Sequence, residues 1–144
     1  MSIIVGVDGS AHARAALSWA IEEARLRGTD VVAVHAYSPP PSYRPYGHLP
    51  GAGDPPRDEE LRRGAQDLVT NEIASVGHGD VDVQVTIVED SQPARALTEQ
   101  ARREDLVVVG SRGHAALAGL LVGSVSQRCL QLAPCPVVVV HAED

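Results

Sequence analysis

The sequence contains no lysine, because all 12 of its Lys and Arg residues are arginines. Walker-type nucleotide sites hold phosphates with a lysine and Schiff-base enzymes react through one, so both classes are excluded. Phenylalanine is also absent and aromatic residues make up only 3%, so the core must consist of Val, Leu, Ile and Ala. The two cysteines, Cys129 and Cys135, show neither CxxC nor metal-ligand spacing, and we interpret them as small buried thiols.

Targeting and membrane signals are missing as well. No apolar run approaches the length of a membrane span, and the N-terminal SIIVGVDGS lacks the charged region and the length of a signal peptide. We therefore expect a cytoplasmic protein without a membrane partner. The net charge of −7 argues against nucleic acid as a partner. A length of 144 residues fits one domain, spanning 1–144, with its own core.

The stretch from Asp105 to Ser126 is the most informative part of the chain. The apolar run Leu106–Val109 predicts a strand buried on both faces, and glycines follow it at 110, 113 and 123. Glycine lets backbone N–H groups approach an anion, and a helix start adds unpaired N–H donors. Ser124 is either the N-cap of that helix or a phosphate ligand. The pattern predicts a phosphate cradle, although a glycine-rich turn capped by serine would look the same.

Strand and helix patterns alternate along the whole chain. This alternation predicts a parallel sheet with helices on both faces. Ser38–Pro56 interrupts it with seven of the ten prolines and reads as a long loop, either a lid or partner surface or a tolerated insertion. The predicted strands are 2–7, 31–37, 81–87, 106–109 and 137–141, and the predicted helices are 11–27, 57–76, 91–103 and 124–132.

Three motifs together resemble the universal stress protein family. The first motif is similar to its ATP-binding signature. It consists of Gly110-x-x-Gly113, a spacer of nine residues, and then Gly123-Ser124-Val125-Ser126. Val5–Ser10 resembles its first strand and turn, and Ala133–Pro136 the approach to its last strand. The resemblance covers nearly the whole chain except 38–60. It implies a five-stranded parallel sheet of order 3-2-1-4-5 in a Rossmann-like, α-hydrolase-like nucleotide-binding sandwich, with the ligand crevice between strands one and four.

The resemblance also implies a ligand and an assembly. The ligand is ATP, with Mg²⁺ bridged through the phosphates, and adenine lies against the backbone near Ala36. Asp8 would contact the metal or the ribose, and the less favoured alternative is a turn or cap residue. A homodimer would form through the edge strand 137–141. The implied binding residues are Gly6, Asp8, Ala36, Gly110, Ser111, Arg112, Gly113, Gly123, Ser124, Val125 and Ser126.

The function implied is an ATP-binding stress-response regulator that acts as a nucleotide-dependent switch. Two alternatives stay open: a slow ATPase, and an interaction module that no longer needs nucleotide. The sequence contains no Ser-His-Asp order with a nucleophile elbow and no paired general acid and base, so no catalytic residue is assigned. His35, within the second strand, is interpreted as structural.

Overall fold

The computed structural model describes residues 1–39, 58–112 and 122–142, and these ranges contain nine alternating strands and helices. The loop predicted at 38–56 lies outside the described residues from position 40 onward, as does Gly113. No helix in the described ranges is both long and apolar enough to cross a bilayer. The elements are β1 Ile3–Gly6, α1 Ala11–Arg27, β2 Val31–Tyr37, α2 Asp58–Val76, β3 Val83–Glu89, α3 Pro93–Thr98, β4 Leu106–Gly110, α4 Ser124–Leu132 and β5 Val137–Val140.

The five strands form one parallel sheet in the order β3-β2-β1-β4-β5, which confirms the predicted order. In the centre, Val5 of β1 pairs with Ala33 of β2 on one side and with Val108 of β4 on the other. The chain therefore winds outward from β1 in one direction first and then returns to add β4 and β5. Such a reversal opens a crevice at the carboxyl ends of the two central strands, where ligands of this fold class bind.

Each face of the sheet carries its own apolar core, because successive side chains of a strand point to opposite faces. Val5 and Val108 pack with buried residues of α1 and α2 on one face. Val107 and Val109 pack with α3 and α4 on the other face, where Cys129 is fully buried. Burial raises the pKa of the Cys129 thiol to about 11, so this cysteine is an inert packing residue, as predicted.

Several element boundaries differ from those predicted. β3 begins at Val83 instead of Val81, because the Val81 N–H bonds to the carbonyl of His78 in a turn. The same strand continues to Glu89. The strands predicted at 2–7 and 137–141 are shorter by a residue at one or both ends.

The third helix is much shorter than predicted, since α3 ends at Thr98 and not at 103. The buried carboxylate of Asp105 accepts the Arg102 N–H at 2.7 Å and the Ser2 N–H at 2.8 Å. These two hydrogen bonds from the backbone hold the chain in a turn that leads into β4. A helix that continued to 103 would not permit this turn.

Candidate functional site

A cavity of about 350 Å³ lies at the carboxyl ends of β1, β2 and β4, in the crevice that the strand order predicts. This volume lies at the lower end of the roughly 300–1,000 Å³ typical of ligand pockets. Ser111 belongs to the predicted set but is fully buried behind the cavity wall. The predicted residues that line the cavity are Gly6, Asp8, Ala36, Gly110, Arg112, Gly123, Ser124, Val125 and Ser126.

One side of the cavity is apolar. Val34 and Val109 extend the core of the α3 face to the cavity, and Pro93 and Leu97 of α3 continue the same surface. Asp90 holds α3 in place, because its carboxylate accepts the Gln92 N–H at 2.8 Å and two bonds from Arg95 at 2.9 and 2.7 Å. The Arg95 guanidinium and the Gln92 N–H lower the pKa of Asp90, so this brace is charged at neutral pH.

The backbone of Ala36 faces the cavity at the edge of this apolar surface. The Val34 carbonyl bonds to the Val7 N–H, whereas the Tyr37 carbonyl bonds to the Asp90 N–H beyond β3. Because backbone groups of alternate strand residues point to the same edge, the N–H and C=O of Ala36 point toward β1, as those of Val34 do. β1 ends at Gly6, opposite Val34, so Ala36 lies beyond its end. A planar ligand with a donor and an acceptor could pair there.

The N-terminus of α4 also lines the cavity and contributes polar groups to it. Gly123 is the N-cap, and no side chain of the described residues caps the helix. The prediction that Ser124 is the N-cap is therefore wrong, since Ser124 is the first helical residue and its side chain is exposed. The first intrahelical bond to Gly123 comes from the Gln127 N–H. The preceding N–H groups have no intrahelical partner, which leaves them available to water or an anion.

The side chain of Ser126 is directed into the protein and is not exposed as its motif suggests. Its side chain is buried, and its hydroxyl lies within hydrogen-bond distance of two carbonyl oxygens, that of Gly123 at 3.0 Å and that of Ser111 at 3.3 Å, which share its proton. A hydroxyl has one proton to donate. Since that proton is used within the protein, the group that Ser126 offers to an anion is its backbone N–H.

Arg112 is the arginine among the described residues that line the cavity. It lines the cavity and is half-buried, and its Nε is buried without a hydrogen-bond partner among residues 1–39, 58–112 and 122–142. A guanidinium carries five N–H donors in a planar fork that suits phosphate oxygens. Arg112 therefore has donor capacity on the polar side of the cavity.

Asp8 is a turn residue that also lines the cavity. Its Oδ1 accepts the Ser10 N–H at 2.9 Å, which shapes the turn after β1, and the residue also lines the cavity. Ser10 is the N-cap of α1, because its hydroxyl accepts the Ala13 N–H at 3.2 Å. Gly9 adopts a left-handed φ of 82° between them, a conformation that favours glycine. The turn thus holds the Asp8 carboxylate at the rim of the cavity.

His35 is oriented by the backbone. Its Nδ1 lies 2.6 Å from the carbonyl oxygen of Val7, which can only accept, so Nδ1 carries the proton and donates. This bond supports the structural interpretation of His35, which also lines the cavity. Within the described ranges, no three His, Cys, Asp or Glu side chains are grouped so that they could hold a metal ion.

His12 is the residue that sequence reasoning missed. A Cβ added at Gly110 would lie 2.6 Å from the carbonyl carbon of His12, so the first turn of α1 packs directly on the end of β4. The glycine at 110 therefore permits helix packing, a role that its motif did not suggest. No sequence pattern reveals this contact, because it depends on how α1 crosses the sheet.

Comparison with known proteins was consistent with the fold and the cavity. A model of the universal stress protein family matches residues 1–141. A universal stress protein of Mycolicibacterium smegmatis is 38% identical over 142 residues, which are 98% of this chain and 46% of that protein. The "Universal stress protein in QAH/OAS sulfhydrylase 3'region" of Thermus aquaticus is 33% identical over 97% of this chain and 98% of its own length.

A solved structure resembles the chain over its full length. It is a universal stress protein in complex with cAMP, 25% identical, with a TM-score of 0.62 over 99% of this chain and 98% of that one. The chain spans about half the length of the mycobacterial relatives that it matches and nearly all of the Thermus protein.

Proposed function

The chain belongs to the universal stress protein family, a family of stress-response proteins, and from that premise we propose that it binds ATP in the cavity between β1 and β4. One observation carries the proposal: the cavity has an apolar side next to an open strand edge and a polar side at an uncapped helix N-terminus. A nucleotide has the same division into base and phosphates. The similar protein solved with cAMP supports an adenine nucleotide as the ligand class.

The base is proposed to lie on the apolar side. Val34, Val109 and Leu97 offer it an apolar surface, and the outward N–H and C=O of Ala36 match the donor and acceptor edge of adenine. Recognition of this kind uses backbone groups, so it needs no particular side chain at 36. Gly6 leaves room for the base, because a Cβ at this position would lie 3.2 Å from the Leu97 side chain at the bottom of the cavity.

The phosphates are proposed to lie at the N-terminus of α4. The N–H groups of Ser124, Val125 and Ser126 and the guanidinium of Arg112 would donate to them, with Gly113 in the same set although it lies outside the described residues. Mg²⁺ would take its ligands mainly from phosphates and water, because it favours oxygen ligands and keeps several waters. Asp8, which lines the cavity, would then supply the carboxylate that binds the metal or accepts a hydrogen bond from the ribose.

The bound nucleotide is proposed to switch the protein between two conformations and not to be hydrolysed at an appreciable rate. The described residues that line the cavity provide donors for phosphates, and the sequence shows no paired general acid and base for hydrolysis. A ligand shifts a conformational equilibrium only by its differential affinity for the two forms. Mass spectrometry of nucleotide retained on the purified protein is the first test of binding. A cytoplasmic location stays a prediction.

Turnover is expected to be far below the roughly 10 s⁻¹ typical of enzymes. The reason is that the sequence contains no lysine to neutralise charge on a departing phosphate and shows no paired general acid and base. A steady-state phosphate-release assay with ATP and Mg²⁺ measures the rate, with Asp8→Ala as the comparison. Turnover near the typical value that is lost in Asp8→Ala would instead establish the alternative of an ATPase.

A homodimer through β5 is a further part of the proposal. β5 is an edge strand of four half-buried valines, Val137–Val140, with no charged side chain along it. Such an edge presents unpaired backbone groups to a second copy. We expect sedimentation to give a dimer for the wild type and a monomer for Val139→Pro. The carbonyls of Pro136 and Val140 bond to β4, so the backbone groups of Val139 point to the open edge, where proline removes a donor. A wild type that stays monomeric at high micromolar concentration would contradict the dimer.

A further inference from the structure

The end of β4 is connected to three other elements through one buried residue, Ser111. Its N–H donates to the carbonyl of Val140 in β5 at 2.8 Å, and its carbonyl accepts the Gly123 N–H and the Ser126 hydroxyl at the start of α4. Its hydroxyl lies 3.0 Å from Nδ1 of His12 in α1. Ser111 is fully buried, and its bond with the Ser126 hydroxyl is buried too, whereas its bond with His12 is partly buried.

His12 also holds the segment that follows β5. The Ala142 N–H donates to the same Nδ1 at 3.2 Å. A backbone N–H can only donate, so Nδ1 is unprotonated, and the Ala142 N–H and the Ser111 hydroxyl share its one lone pair as donors. The His12 ring proton is therefore on Nε2. One acceptor atom thus joins the end of the proposed phosphate cradle to the chain beyond the edge strand.

We propose that His12 is a positioning residue for the nucleotide site, which fixes Ser111 and couples the phosphate cradle to the segment after β5. The inference rests on the proposed function for its ligand, but the junction itself is a property of the protein alone. His12 acts through Ser111, whose carbonyl orients Gly123 and Ser126 at the N-terminus of α4. Loosening His12 therefore moves the donors that face the phosphates and releases the Ala142 N–H at the same time.

The matched pair His12→Ala and His12→Asn tests the acceptor. Asparagine places Oδ1 on Cγ where histidine has Nδ1, so it keeps an acceptor, whereas alanine removes it. We expect His12→Ala to bind ATP with Mg²⁺ about tenfold more weakly in calorimetry and His12→Asn to recover most of the loss. Wild-type affinity in His12→Ala, or an Asn variant as weak as the Ala variant, would overturn the inference.

Two NMR measurements on the protein without nucleotide separate this inference from the proposed function. The imidazole nitrogen shifts should show the Nε2–H tautomer, and hydrogen exchange at Ala142 should be slow in the wild type and in His12→Asn but about tenfold faster in His12→Ala. An Nδ1–H tautomer, or unchanged exchange in His12→Ala, would overturn the junction. A wild type that shows both signatures and binds no ATP would overturn the proposed function and support the junction.

Discussion

Gly110→Ala is expected to lower the free energy of unfolding by about 3 kcal/mol, at the upper end of the usual cost of overpacking. The new Cβ would lie 2.6 Å from the carbonyl carbon of His12 and 2.7 Å from its carbonyl oxygen. Both atoms belong to the backbone of α1, whose start is fixed by the Ser10 cap, so no side chain can rotate away to make room. Urea denaturation measures the loss.

Gly64→Ala is the matched control for this substitution. Gly64 lies inside α2, is exposed, and has nothing within 4 Å of an added Cβ. Alanine is the better helix former, so this variant should be more stable than the wild type by about 0.5–1 kcal/mol. The same chemical change is thus expected to have opposite signs at the two glycines. A Gly110→Ala protein as stable as the wild type would contradict the packing of α1 on β4.

Gly123→Val is expected to weaken ATP binding by roughly a hundredfold or more. The backbone at 123, with φ of −77°, is accessible to any residue, so the fold should survive. The added side chain occupies a buried position that lines the cavity at the start of α4. Loss of two hydrogen bonds to a charged phosphate, at about 1.5 kcal/mol or more each, corresponds to this factor.

Gly64→Val provides the control, since it makes the same substitution at an exposed helical position away from the cavity. Calorimetric titration with ATP and Mg²⁺ measures the affinity, and a thermal melt verifies that both variants are folded. We expect Gly64→Val to bind as the wild type does. If Gly123→Val and the wild type bound ATP with equal affinity, the proposal that the phosphates bind at the N-terminus of α4 would be contradicted.

The order of elements was predictable because the apolar pattern of each segment is local. The run Leu106–Val109 has no polar interruption and is rich in valine, which predicts a strand buried on both faces, and Val107 and Val108 are fully buried. The glycines of the cradle and the start of α4 were likewise visible as motifs. The order of the strands came from the resemblance, since alternation alone does not determine it.

What the sequence did not reveal depends on contacts between distant residues. The end of α3 is set by Asp105, whose carboxylate also holds the Ser2 N–H, 103 positions away. Similarly, His12 and Ser111 are separated by 99 positions and meet only because α1 packs on β4. The motif indicated Ser126 as a phosphate ligand, but whether its hydroxyl faces inward depends on the carbonyls around it.

Calorimetric titration of the nucleotide-free wild-type protein with ATP and Mg²⁺ tests the central claim most directly. A few hydrogen bonds to charged phosphate oxygens, less the cost of ordering the ligand and the loop, correspond to a Kd of about micromolar. We therefore predict one ATP bound per chain with a Kd in that range. No binding heat with ATP at about millimolar concentration, at two temperatures, would contradict the account.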